Sequence, residues 1–192
     1  MMPAATTIFP VILTVSEADQ RLSGRDKVKA LSRLARSALM KSCEKSGLHL
    51  NSFPKNQKGV PLPVGGVHWS VTHKSDMVGG VASTSPVGMD LETIRPVSDA
   101  LLAKVASEDE WKLVGGNRQN NFFRFWTAKE AVLKAVGKGM AGLSRCRVAA
   151  IADDTYMTLT YDETRWPVAH YWFDDHVAAL TARHFSVSWI RY

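Results

Sequence analysis

The segment from Asn121 to Val136 puts charge on an apolar stripe, and that limits what it can pack against. Phe122, Phe123, Trp126 and Leu133 recur at helical spacing, and Glu130 and Lys134 fall on the same face as an i, i+4 pair. In solvent such a pair would need no further account. On a face that must be buried or interfacial, each charge requires a partner, because an unpaired buried charge is costly. Gly137 and Gly139 stop the helix.

A second acidic segment, Gly88-Met89-Asp90-Leu91-Glu92, has strand spacing. If Val87 to Glu92 is extended, Asp90 and Glu92 share one face, roughly 6–7 Å apart, and Leu91 points into a core. Two carboxylates on one face repel unless a cation lies between them. Gly88 is expected to let a ligand approach the backbone closely. With Glu130, the segment offers three carboxylates to one divalent ion. Oxygen-only ligands suit Mg²⁺, which completes its shell with waters and substrate phosphates. Two surface acids and a solvent-facing ion pair explain these residues equally well when each is taken alone.

Length and charge bound the partners. The chain has 192 residues, enough for one large domain or two small lobes with a real core. A net charge of +6 favours anionic partners such as nucleotides, nucleic acid or an acidic protein. Cys43 and Cys146 lie far apart with no metal-ligand spacing, which argues against zinc and against a disulfide framework and favours a reducing cytoplasm. The stretch before Val15 lacks a positive n-region and is punctuated by Pro3 and Pro10, so it reads as a first strand, Ile8 to Val15, instead of a leader. No apolar run is long enough to cross a bilayer.

The order of elements is strand, helix, then strands, given twice. Asp19 to Lys45 is a predicted helix with a basic outer face carrying Arg25, Lys27, Arg33 and Arg36, capped by Ser16 or Ser23. Residues 48–66 form a loop. Strands are predicted at 67–72, 77–83 and 87–92, a helix at 101–114 broken by Gly115-Gly116-Asn117, and strands at 148–151, 156–161, 169–173, 177–181 and 185–190. This is an α+β chain of two similar halves, 1–95 and 96–192, with Asp90 and Glu92 at the seam. Thr72-His73 ends a strand, and a histidine cation there suits a phosphate oxygen. Lys55, Lys58 and Gly59 sit in a loop whose amides are placed for a purine or a phosphate, and Arg25 and Lys27 are candidates for a nucleotide contact.

Taken together, these motifs resemble the 4′-phosphopantetheinyl transferase superfamily, in its surfactin-synthetase-activating branch. That branch carries Gly-x-Asp-x-Glu and, further on, Trp-x-x-Lys-Glu-x-x-x-Lys before Gly-x-Gly. The corresponding residues are Gly88 to Glu92, Trp126 to Lys134, and Gly137-Lys138-Gly139, with Thr72-His73 matching the Ser/Thr-His pair upstream. The match is specific in order and spacing over residues 55–140. Where the family often has Gly-Lys-Pro, this chain has Gly59-Val60-Pro61, with Lys58 one residue earlier.

The resemblance implies two α+β halves related by a pseudo-two-fold axis, with coenzyme A in the cleft between them. Asp90, Glu92 and Glu130 would hold Mg²⁺, or Mn²⁺, against its pyrophosphate. Thr72, His73 and Lys134 would contact phosphates, Arg25 or Lys27 the 3′-phosphate, and Lys55, Lys58 and Gly59 the adenine. Glu130 and Lys134 would be catalytic, and an apo acyl or peptidyl carrier protein would receive the arm from a cytoplasmic monomer. The competing expectations are a nucleic-acid-binding module using the basic face of residues 25–41, and a carrier-protein binder without catalysis.

Overall fold

The computed structural model describes residues 6–115 and 117–192; Pro3 and Gly116 lie outside them. Pro10 has no N–H to offer a ladder, and the first strand is divided there into β1 (Thr6–Ile8) and β2 (Val11–Thr14). The first helix is likewise divided. Ser16 caps α1 (Glu17–Gln20), accepting the Asp19 amide at 3.2 Å, and α2 (Gly24–Ser46) starts after a turn in which Gly24 has φ +53°. The strands β3 (His68–His73) and β4 (Met77–Ser83) pair antiparallel, as the alternation predicts. Next come β5 (Met89–Thr93), α3 (Asp99–Val105), α4 (Glu108–Lys112) and α5 (Arg118–Val136).

A single helix over 101–114 is not what forms. The chain becomes extended at Ala106, and Ser107 opens α4 with a reciprocal capping box to Glu110. After α5 a short 3₁₀ helix (Gly139–Arg145) leads into β6 (Cys146–Ile151), β7 (Tyr156–Tyr161), β8 (Thr164–Phe173) and β9 (His176–Thr181). The last predicted strand is again two, β10 (Phe185–Val187) and β11 (Ile190–Arg191).

Two main sheets result. One has the order β11-β2-β4-β3 and the other β5-β9-β8-β7-β6, while β1 and β10 form a separate parallel pair. The α+β class holds. The sheets, however, do not follow a division at residue 95: β5 joins the second sheet through β9, and β11 returns to complete the first beside β2. The two layers share a plan, one long helix on one sheet. Leu31, Ala35 and Ala38 of α2 pack with Val11, Leu13 and Val78. Helix α5 lies on the five-stranded sheet with Phe125, Ala128, Val132 and Leu133 fully buried among Leu159, Val168 and Val177.

Helix α5 is buried on more than its predicted stripe. Lys129 and Arg124, on other faces, are 2% and 4% exposed. The Arg124 guanidinium reaches the Asp153 carbonyl, and its own carbonyl receives His170 Nε2 at 3.2 Å. Burial, then the nearby Arg124 charge, pushes the His170 pKa from 6.5 down to about 4. The folded protein therefore keeps this ring neutral, whereas the unfolded chain takes up a proton below pH 6.5. Stability is expected to be full above that pH and to fall by about 3 kcal/mol as pH drops to 4. Chemical denaturation across this range checks the slope, which His170→Gln should remove.

Candidate active site

The two sheets meet along β3 and β5, where the Ser70 hydroxyl accepts the Met89 amide at 3.1 Å. Strand alternation there does what the sequence predicts. Leu91 is fully buried in the core, and Asp90 and Glu92 turn the other way. Gly88 proves to have a different purpose from the one expected. A Cβ at this position would lie 1.8 Å from the Ala131 carbonyl oxygen and 2.7 Å from the Ala135 amide nitrogen. The backbone that comes close is α5 and not a ligand. Glycine here seats the helix directly on the strand, which brings Glu130 and Lys134 to the two acids.

Asp90 is the best-buried acid of the group, with its side chain 7% exposed. Its Oδ1 accepts Thr72 Oγ1 at 3.1 Å and Lys134 Nζ at 2.7 Å, and Lys134 also donates to the Met89 carbonyl at 3.0 Å. Lys134 thus crosses to the strand instead of pairing with Glu130 on its own helix. Glu92 Oε1 accepts Lys74 Nζ at 2.7 Å and Trp126 Nε1 at 3.0 Å. Glu130 sits half-buried on α5. Burial foremost, then the charges of Asp90 and, after the opposing Lys134, of Glu92, raise its pKa above the usual carboxylate value. All three acids therefore share one electrostatic environment.

Among the described residues no three His, Cys, Asp or Glu side chains stand close enough to ligate one ion together. Each strand acid already holds an ammonium. Asp90 nonetheless has an opening: its Oδ2 is buried and accepts no hydrogen bond. A desolvated carboxylate oxygen without a partner is costly, and a hard cation is a partner of the right charge and ligand type. On that test Asp90 offers a divalent ion one free ligand oxygen, with Glu92 and Glu130 close enough to share its field but not gathered into a ready-made ligand set.

A cleft of about 300 Å³ opens onto Asp90 and Lys134 and is lined also by Thr72, His73, Lys74 and Lys55; Glu92 and Glu130 do not line it. His73 is an exposed residue of its lining. Partial desolvation, then the Lys134 and Lys74 ammoniums, hold its pKa below the usual value, so the free protein carries it neutral instead of as the expected cation. A second pocket of about 180 Å³ shares Lys55, Val71 and Lys134 with the first and is lined by Lys58 and Gly59. Asn56 shapes that loop by accepting the Lys58 and Val60 amides at 2.9 and 3.0 Å.

Arg25 and Lys27 line neither pocket. They lie in the first turn of α2, and Lys27 is tied back to the Gln20 carbonyl at 3.0 Å. Later in the same helix, Ser32 and Arg36 line the larger cleft instead. Glu110 is another group the sequence pattern did not single out. Its Oε1 accepts Lys129 Nζ at 2.6 Å and the Val148 amide at 2.8 Å, and its Oε2 accepts the Ser107 amide at 2.9 Å. Burial opposes its charge, but Lys129 and the two amides outweigh it and keep Glu110 ionised. The result pins α4, α5 and β6 together. Its signal was the Ser107-x-x-Glu110 spacing.

The family model of the 4′-phosphopantetheinyl transferase superfamily matches residues 86–181, half of the chain, a stretch that contains α5 and every strand of the five-stranded sheet. The chain is 34% identical over 92 residues to the 4′-phosphopantetheinyl transferase gsp of Aneurinibacillus migulanus, covering 46% of this chain and 39% of that protein. It is 32% identical over 117 residues to the 4′-phosphopantetheinyl transferase psf-1 of Bacillus pumilus, covering 58% and 50%. To the 4′-phosphopantetheinyl transferase HetI of Nostoc sp. it is 35% identical over 91 residues, covering 44% and 38%. The matches thus span half or less of those relatives' own lengths. The chain belongs to the 4′-phosphopantetheinyl transferase superfamily.

Proposed function

We propose that the protein transfers the 4′-phosphopantetheine arm of coenzyme A to a serine of an apo acyl or peptidyl carrier protein, releasing adenosine 3′,5′-bisphosphate. The observation that carries this reading is the buried, unpartnered Asp90 Oδ2 beside Lys134, in a cleft that also takes in Thr72, His73 and Lys55. Asp90, Glu92 and Glu130 would hold Mg²⁺, with Mn²⁺ a workable substitute. When bound, the ion would neutralise charge at the pyrophosphate bridge and orient it for in-line displacement.

The chain's own groups supply the rest. Glu130, whose raised pKa makes it a better proton acceptor than an ordinary carboxylate, takes the serine proton. The serine oxygen forms its bond to the phosphorus that bears the pantetheine arm, and the bond from that phosphorus to the bridging oxygen breaks. Lys134 stabilises the charge on the departing phosphate. Neutral His73 donates to a phosphate oxygen and gains a proton as the anion arrives. Lys55, Lys58 and Gly59 border the adenine in the adjoining pocket, and Arg36 takes the 3′-phosphate contact first assigned to Arg25 or Lys27.

The positive net charge favours encounter with coenzyme A and with acidic carriers alike. A cytoplasmic monomer belongs to the same reading. No described helix is long and apolar enough to cross a membrane. Mass spectrometry of an apo carrier protein incubated with this protein, coenzyme A and Mg²⁺ tests the activity. One added phosphopantetheine, lost on chelation of the metal, is expected; an unmodified serine across acyl and peptidyl carriers would overturn the proposal.

A further inference from the structure

Lys74 has no part in the transfer as set out above, although it touches one of the three acids, Glu92. Its backbone is fixed at the tip of the β3–β4 hairpin, where its amide donates to the Met77 carbonyl at 2.7 Å. Its side chain crosses the seam between the sheets and brings Nζ to 2.7 Å from Glu92 Oε1. Lys134 stands in the same relation to Asp90, also at 2.7 Å. Two ammoniums therefore answer two of the three carboxylates, and the free site has little net charge left to attract a divalent ion.

The two lysines differ in freedom. Lys134 is held at Asp90 Oδ1 and again at the Met89 carbonyl, 3.0 Å away. Lys74 has one partner, Glu92, while its side chain is exposed to much the same degree as that of Lys134, 32% against 30%, so the number of partners is what sets the two apart. A lysine ammonium on a flexible stem can change partners at small cost when another anion is offered. A pyrophosphate is such an anion, with oxygens that accept charge-assisted hydrogen bonds.

We propose that Lys74 is a built-in counter-cation: it holds Glu92 against a divalent ion in the free protein and gives it up to the ion when a pyrophosphate enters. Metal and coenzyme A then bind cooperatively, each strengthening the other by the same factor. The inference rests on the reading that Asp90, Glu92 and Glu130 hold a divalent cation. Its physical basis is like-charge repulsion, since an ion arriving alone meets Lys74 at the carboxylate it needs, in a partly buried place where screening is weak.

Mn²⁺ binding, followed by the spin resonance of the free ion, tests this on the wild type, Lys74→Ala, Lys74→Arg and Asp90→Asn, each with and without coenzyme A. Without coenzyme A, Lys74→Ala is expected to bind Mn²⁺ about tenfold more tightly than the wild type, and the coupling between ion and coenzyme should shrink by a similar factor. Lys74→Arg, which keeps the charge, should bind like the wild type. Equal or weaker binding by Lys74→Ala would overturn the inference while leaving the metal site standing. If no form binds Mn²⁺ even with coenzyme A, or if Asp90→Asn binds like the wild type, the metal reading itself fails and the inference with it.

Discussion

Replacing Glu130 with Gln is expected to lower kcat for arm transfer about a thousandfold, the usual cost of removing a positioned general base. Gln keeps the shape of the side chain but cannot take the serine proton. The fold should survive. Glu130 is half-buried beside Asp90 and Glu92, and both repel its charge, so neutralising it removes strain from the seam. Steady-state transfer to an apo carrier, together with thermal unfolding and a coenzyme A titration, separates the outcomes. A variant that unfolds at the wild-type temperature, still binds coenzyme A and has lost turnover fits the role given to Glu130. Turnover within about tenfold of the wild type would remove Glu130 as the base, since general-base losses exceed a hundredfold.

Gly88→Ala should damage the protein in another way. The added methyl would meet the Ala131 carbonyl oxygen at 1.8 Å and the Ala135 amide nitrogen at 2.7 Å, both backbone atoms of α5. Neither can rotate aside as a side-chain tip would. Gly88 cannot retreat easily either, because its amide donates to Thr181 Oγ1 at 2.9 Å and its carbonyl accepts the Thr181 amide at 3.0 Å. The helix must therefore lift off the strand, at a cost of about 3 kcal/mol or more. Denaturant unfolding should show the loss directly, with activity falling because Glu130 and Lys134 no longer reach Asp90. A variant as stable as the wild type would mean that α5 and β5 are not packed backbone to backbone.

These two residues also mark what could be read from the sequence and what could not. The stripe on α5 and the alternation of Asp90, Leu91 and Glu92 are local periodicities, and local periodicity survives folding unchanged. Thr72 and His73 at a strand end were legible for the same reason. Gly88 signals a close approach, but a glycine does not say what approaches. The links from Lys74 to Glu92 and from Lys129 to Glu110 join residues 18 and 19 positions apart through tertiary contacts that no periodicity encodes. Arg36 rather than Arg25 reached the cleft because the pitch of α2 and its seat on β4 decide which basic residues face inward. The shorter helices and divided strands follow Pro10, Gly24 and the Ser107 cap, punctuation that regular spacing had run across.

The exchange of strands between the sheets bears on how the protein comes into being. Val11 and Ile12 are paired with Ile190 and Arg191, and the Tyr192 amide reaches the Ile12 carbonyl at 3.0 Å. The first sheet cannot be finished until residues 190 and 191 are available, almost 180 positions after the strand they pair with. The four-stranded sheet is then unable to mature on its N-terminal strands alone, and the wait for so distant a partner predicts slow folding with a long-lived exposed edge on β2.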